Sequence, residues 1–242
     1  MKRFLVLLFV ASQLLSLAVV AETTTPFQQF TQDLTAAYAN YRTALFQTNK
    51  NDQEKSLKST TAFHEQWQAL MTQYADAPPE VFAADPQWKS SLETIEQTVV
   101  ASLEEIKAGQ IAEAHETLEA VRDELGDVRR RNSVIMFSDH INTYHEVMEH
   151  VMEWGAASQT LDAKAMLFAR EQLSVLDFLA ENIRQNTPQT YADNEKFQQL
   201  TKGLFASLAA LREALDSNES EAILQAIKNL KAPYAKLFVN FG

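Results

Sequence analysis

Twice along this chain the same series of helix starts and stops is written, displaced by about 108 to 110 residues. Asp52, Asp85-Pro86 and the Lys107-Ala108-Gly109-Gln110 turn recur as Asp162, Asp193-Asn194 and Asp216-Ser217-Asn218-Glu219. A period of that length, with apolar residues at threes and fours between the stops, predicts two copies of one helical unit. Only 5 glycines and no alternating apolar and polar run leave strands without support.

Each copy reads as four helices. Thr25-Pro26 supplies a cap and an N1 proline for helix A, about residues 26 to 48, striped with Phe27, Phe30, Leu34, Tyr38, Tyr41 and Leu45. Asn51 with Glu54 forms a candidate capping box for helix B, about 52 to 75, with a stripe of Leu57, Thr61, His64, Trp67, Met71 and Tyr74. Pro78-Pro79 ends B, Asp85-Pro86 opens C, Gly109 offers the left-handed stop, and D follows from Ile111. In the second copy Asn218 with Glu221 forms another candidate capping box, and Pro233 is expected to kink the last helix. The fold expected is all-α, two tandem antiparallel four-helix bundles over residues 22–132 and 133–242. No proline interrupts Ile111 to Trp154, so D and A′ read as one continuous rod placing the bundles end to end. A break at Asn132-Ser133, with Ser133 as the new N-cap, is the alternative. Arg129-Arg130-Arg131 beside it reads as a solvated collar.

Residues 1–21 read as a secretory signal peptide: Lys2-Arg3, an apolar run from Leu5 to Val20, and Val19-Val20-Ala21 as cleavage site. No later stretch is apolar enough to span a membrane, and the expected location is the periplasm. Cleavage removes Lys2 and Arg3, so the full chain's 21 basic and 32 acidic residues become a net charge of about −13. Such a surface repels phosphate backbones and excludes nucleic acid as a partner. The absence of cysteine excludes thiol catalysis, disulfides, zinc–thiolate sites and covalently attached c-type haem.

Helices A and B, the proline-containing crossover, Trp88 to Ile106, the Lys107 to Ala114 turn and a final helix together resemble the small periplasmic cytochrome b-562 bundles. The resemblance covers about residues 26 to 130 and, through the duplication, about 133 to 242. It implies the bundle fold and a haem held between a methionine near the start of helix A and a histidine near the end of helix D. Neither ligand carries over. Helix A has no methionine between Phe27 and Thr48, and Asp127-Val128-Arg129-Arg130-Arg131 has no histidine. In the second copy Met148 lies late in A′, and Tyr234-Ala235-Lys236-Leu237-Phe238 has no histidine.

Chemistry concentrates between Met136 and Glu153, where three of the five histidines gather. His145 with Glu149, and Glu146 with His150, are i, i+4 pairs able to chelate a divalent ion. A core stripe on Ile141, Tyr144, Met148 and Val151 turns Glu146, His150 and Glu153 to water and leaves His145 and Glu149 at the edge. A solvated acidic face or a partner-binding face is the plainer reading of the same residues. Met136, Met148 and Met152 beside His145 raise copper as a further option, and His64 and His115 read as hydrogen-bonded interior residues. No phosphate loop, nucleophile elbow or His-Glu-x-x-His helix occurs. The expected function is a non-enzymatic binding or interaction module without a resident cofactor, with a carrier of a divalent metal ion or haem as the alternative. A periplasmic protein or a metal ion is the expected partner.

Overall fold

A computed structural model describes residues 24–158 and 160–242, so the leader expected over residues 1–21 lies outside it. The described residues form helices and no strand. They are α1 (Pro26–Asn49), α2 (Gln53–Tyr74), α3 (Trp88–Lys107), α4 (Ile111–Arg131), α5 (Phe137–Ala157), α6 (Ala163–Gln185), the single turn α7 (Gln189–Ala192), α8 (Glu195–Ser217), α9 (Ser220–Lys228) and α10 (Lys231–Phe241). No helix among them is long and apolar enough to cross a membrane.

The starts follow from local chemistry. The Thr25 hydroxyl accepts from Gln28 N while the Gln28 amide oxygen accepts from Thr25 N, satisfying two donors that α1 leaves open. Asp52, Asp162 and Asn194 cap α2, α6 and α8 in the simpler one-sided way. Asn51 and Asn218 are not N-caps. Both lie at positive φ and stop the preceding helix, because a short polar side chain tolerates the left-handed region that ends a helix.

The same device overturns the continuous rod. Ser133 has φ 56°, its N–H donates to Arg130 O, and Val134 N–H reaches back to Arg129 O at 2.9 Å. That pair of bonds closes α4 as Gly109 closes α3, where Gln110 N–H bonds Glu105 O. Ser133 therefore stops α4 instead of capping α5, and residues 132–136 turn the chain. Nor is the arginine cluster a solvated collar throughout. Arg129 is buried and bidentate on Asp139 of α5, its Nε 2.8 and 3.0 Å from the two carboxylate oxygens. Arg131 and Asn132 both donate to the enclosed Asp85 at 2.8 Å, while Arg130 is exposed on Asp127. Burial alone would raise the Asp85 carboxyl, but bonds from Asn132, Gln87 N and Arg131 prevail and hold it low.

In the first half α1 packs on α2 and α4, and α3 on α2 and α4. In the second, α5 packs on α6, α9 and α10, and α8 on α6, α9 and α10. Short turns make the chain neighbours antiparallel. The last helix is divided rather than merely kinked: α9 ends at Lys228, and Pro233 falls in the first turn of α10, where its missing N–H costs nothing. Gly155 lets α5 approach α9, since a Cβ there would meet Ile227 Cγ2 at 3.0 Å. On α2 the buried stripe is rotated from the expected one. Ser56, Thr60, Phe63, Trp67, Leu70 and Tyr74 face inward while Thr61 is exposed. His64, half-buried, bonds Glu96 at 2.7 Å.

Each half carries an aromatic cluster at one end. Phe27, Phe82 and Trp88 cluster at one end of the first half, with Phe82 and Trp88 stacked at 4.7 Å, and Phe137, Tyr191 and Phe197 cluster likewise in the second. The halves lie side by side, not end to end. Helix α1 packs on α10, Arg42 donates to the Gly242 carbonyl, Asn142 reaches Tyr38, and one apolar core runs through both.

Because Ser133 is exposed and left-handed, Ser133→Gly should stabilise the fold by about 0.5–1 kcal/mol, raising the thermal midpoint by roughly 2–3 °C. Inside a continuous helix the same change would cost about 1 kcal/mol, so calorimetry of this variant distinguishes turn from rod by sign alone.

Candidate metal centre at the seam between the halves

Helices α1 and α4 of the first half face α5 and α10 of the second, and between them lies a cavity of about 40 Å³. A cavity of that size holds a few waters at most, or an ion with water. Its walls carry His115, Glu119 and Arg122 from α4, His145 and Glu149 from α5, and Lys231 and Tyr234 from α10.

Two stretches supply the donors with one spacing. His115-Glu116-Thr117-Leu118-Glu119 and His145-Glu146-Val147-Met148-Glu149 both read His-Glu-x-x-Glu. On a helix the first and last residues of each lie one turn apart on one face. Leu118 and Met148, each fully buried, anchor their helices in the apolar core and so turn the adjoining His–Glu pairs to the seam.

The geometry repeats as well. His145 Nε2 lies 3.6 Å from Glu149 Oε2, and His115 Nε2 lies 3.7 Å from Glu119 Oε1. Both distances are too long for hydrogen bonds. They are close to the separation of about 3.3–3.5 Å between neighbouring ligands on a zinc tetrahedron with bonds near 2.0–2.1 Å. One donor atom each from Glu119, His145 and Glu149 lies within 4.8 Å of the other two.

Proton placement follows from the neighbours. The Thr48 hydroxyl donates to the Ala44 and Leu45 carbonyls, so its oxygen accepts from His115 Nδ1–H at 2.8 Å. That tautomer leaves a lone pair on Nε2, facing Glu119 with no proton between them. A carbonyl- or hydroxyl-anchored imidazole is the usual state of a metal-ligating histidine. His145 is only 6% exposed, stacks on the Tyr234 ring at 4.9 Å, and has no hydrogen-bond partner at Nδ1.

Burial, with Arg122, Lys231 and His115 adding positive charge, pushes the His145 imidazole down to about 3. Burial and then Lys231 lower His115. Both rings are therefore neutral near pH 7, the form that binds metal. Burial raises the Glu119 carboxyl against the pull of Arg122, 3.4 Å away, and burial followed by Glu119 raises Glu149. Two carboxylates, one guanidinium and one ammonium come close to neutrality without an ion. Lys231 forms no ion pair among the described residues.

Of the four residues expected as ligands, the structure brings His145 and Glu149 together and leaves Glu146 and His150 exposed. His150 stands edge-on to the Phe168 ring of its own half. None of Met136, Met148 or Met152 borders the cavity, which removes the soft-ligand geometry for copper. His115 is the hydrogen-bonded, partly buried histidine expected of it, on the Thr48 hydroxyl, whereas sequence reasoning missed Glu119, although the repeated pentapeptide was the available signal.

Between the start of α1 and the end of α4, Phe27, Phe30, Phe82, Trp88, Leu125 and Val128 close on a void of about 10 Å³. A pocket for a drug-sized ligand occupies roughly 300–1,000 Å³. Comparison with known protein families, with curated proteins and with solved structures finds no match for this chain.

His145 also predicts a pH effect. The unfolded chain takes up a proton as pH falls through the ordinary value of about 6.5, whereas the folded ring stays neutral down to about 3. In that window the unfolded state binds more protons, so stability falls as pH falls. Between about pH 7.5 and about pH 5.5 the native chain should lose about 1 kcal/mol more than His145→Gln, read from urea midpoints. Glu119 and Glu149, whose raised values act in the opposite direction, are common to both proteins and cancel in the comparison.

Proposed function

We propose that this chain is a non-enzymatic, exported binding protein that holds one divalent transition-metal ion at the seam between its halves. His145, Glu149 and Glu119 are the core ligands, with His115 closing the set. The observation that carries this reading is the convergence of two His-Glu-x-x-Glu helices, from different halves, on one small buried space. Two imidazoles and two carboxylates suit Zn²⁺, which accepts both at about 2.0–2.2 Å. By the general order of divalent affinities, Cu²⁺ binds such donors at least as tightly in the test tube, while Ca²⁺ and Mg²⁺ prefer oxygen alone. The leader-like residues 1–21 support export, and the likeness to small periplasmic bundles supports a carrier rather than a catalyst. With the ligands enclosed by α1 and α10, the site favours retention over turnover.

Isothermal titration of the purified chain with Zn²⁺ should give one site per chain. His145→Ala and Glu119→Gln should each weaken it by about 10- to 100-fold. Glu146→Ala and His150→Ala should leave it unchanged. Lys231→Gln should tighten binding by about fivefold, since removing one nearby positive charge is worth about 1 kcal/mol. Binding that depends on His150 and Glu146 but not on Glu119 would place the ion on the exposed face of α5 and sink the seam site.

A further inference from the structure

Helix α6 packs on α5 and α8 and turns its third side outward. On that side Leu167 is 57% exposed, Val175 41% and Phe178 64%, along a row that runs Lys164, Leu167, Glu171, Ser174-Val175, Phe178 and Glu181 at spacings of three and four. Large apolar side chains grouped in this way mark contact surfaces more often than single exposed ones do.

The duplication supplies an internal control. With the N-caps Asp52 and Asp162 in register, Val175 and Phe178 correspond to Glu65 and Gln68 of α2, both exposed. The fold therefore tolerates polar residues at these positions. The second copy carries valine and phenylalanine there without a folding reason, at a cost in solubility that a contact would offset.

We propose that the outer face of α6 binds a second copy of this chain, antiparallel, about a two-fold axis level with Gln172 and Leu173. In that register Leu167 of one copy meets Phe178 of the other, and the symmetry repeats the contact. The same register sets Lys164 opposite Glu181 at both ends; Glu181 also holds Arg184 and Gln185 of its own chain, whereas Lys164 makes no ion pair among the described residues. Glu171 falls opposite Ser174 rather than opposite its own copy. A parallel pairing would instead set Lys164 against Lys164 and Glu181 against Glu181. An isologous contact of this kind closes at two subunits and leaves no free repeat. One helix pair buries less than the 1,200–2,000 Å² or so of a stable complex, so the dimer is a weak one, in the micromolar range. The α6 face is separate from the seam, and the ion plays no part in it.

The chain's lack of cysteine makes disulfide trapping a clean test. Lys164→Cys and Glu181→Cys are prepared as separate proteins, each keeping the apolar row intact. Positions 164 and 181 are 17 residues apart, about 25 Å along the helix, far beyond the roughly 7 Å that a disulfide spans between Cα atoms. Oxidised at about 100 µM, in the range of such weak pairs, neither protein should cross-link with itself. The mixture should give a disulfide-linked dimer, and adding Phe178→Glu to both should abolish it while circular dichroism and the Zn²⁺ titration stay unchanged. Cross-linking of either protein alone, or none in the mixture, overturns the antiparallel pairing. Persistence of the mixed dimer in the Phe178→Glu background overturns the role of the apolar row.

Discussion

The left-handed turn at Ser133, held by the ion pair of Arg129 with Asp139, sends α5 back beside the first half instead of onward from it. Most of what distinguishes the molecule depends on that reversal. It turns two amphipathic bundles into one body with a shared apolar core, and it converts the outer faces of α1, α4, α5 and α10 into an interior seam. A buried ion pair of this kind adds little net stability over an apolar contact, but removing either partner strands a charge. Its effect is therefore to select one connection between the halves.

Burial of the seam changes the chemistry of its polar groups. On an isolated helix His145 and Glu149 would be a solvated pair with ordinary proton affinities. Enclosed by α1 and α10, the imidazole is held neutral and the carboxylates are driven toward protonation, because the charged form of each loses its water. Two histidine nitrogens then face two carboxyls at separations too long for hydrogen bonds. Such an arrangement is relieved by a cation, and the same groups without one form a polar gap in an apolar interface. Tyr234, whose hydroxyl also lacks a partner, marks the same gap from α10.

Much of the fold was readable in advance. Thr25-Pro26, Asp52, Pro78-Pro79, Gly109, Asp162 and Pro188 punctuate the chain with chemistry that acts over three or four residues, and each falls at or beside a helix end. The errors lie where two local signals compete. Asn51 and Asn218 can cap a helix or end one, and the following Asp52 and the αL geometry decided for the end. Ser133 carries no special preference for positive φ; it adopts that conformation because the Arg129 clasp and the shared core stabilise it from outside the turn. On α2, small hydroxyl residues displaced the expected stripe because Ser56 and Ser59 return their own hydrogen bonds to the helix backbone and so count as packable surface.

For the site, local spacing announced half of it. The i, i+4 relation of His145 to Glu149 is a property of any helix and needs no tertiary structure, and the identical relation of His115 to Glu119 was equally present in the letters. What the sequence by itself determined is an all-α chain, with the residues that begin and end most of its helices and an apolar face for each to bury. Those properties depend on interactions within a few residues along the chain. Which faces meet across the halves, and therefore which of the two His–Glu pairs of α5 is enclosed with Glu119 and which is left in water, only the tertiary structure decided. That choice rests on contacts between residues some thirty to two hundred positions apart, from the His115–His145 seam to Arg42 and Gly242, whose free energy no local pattern encodes.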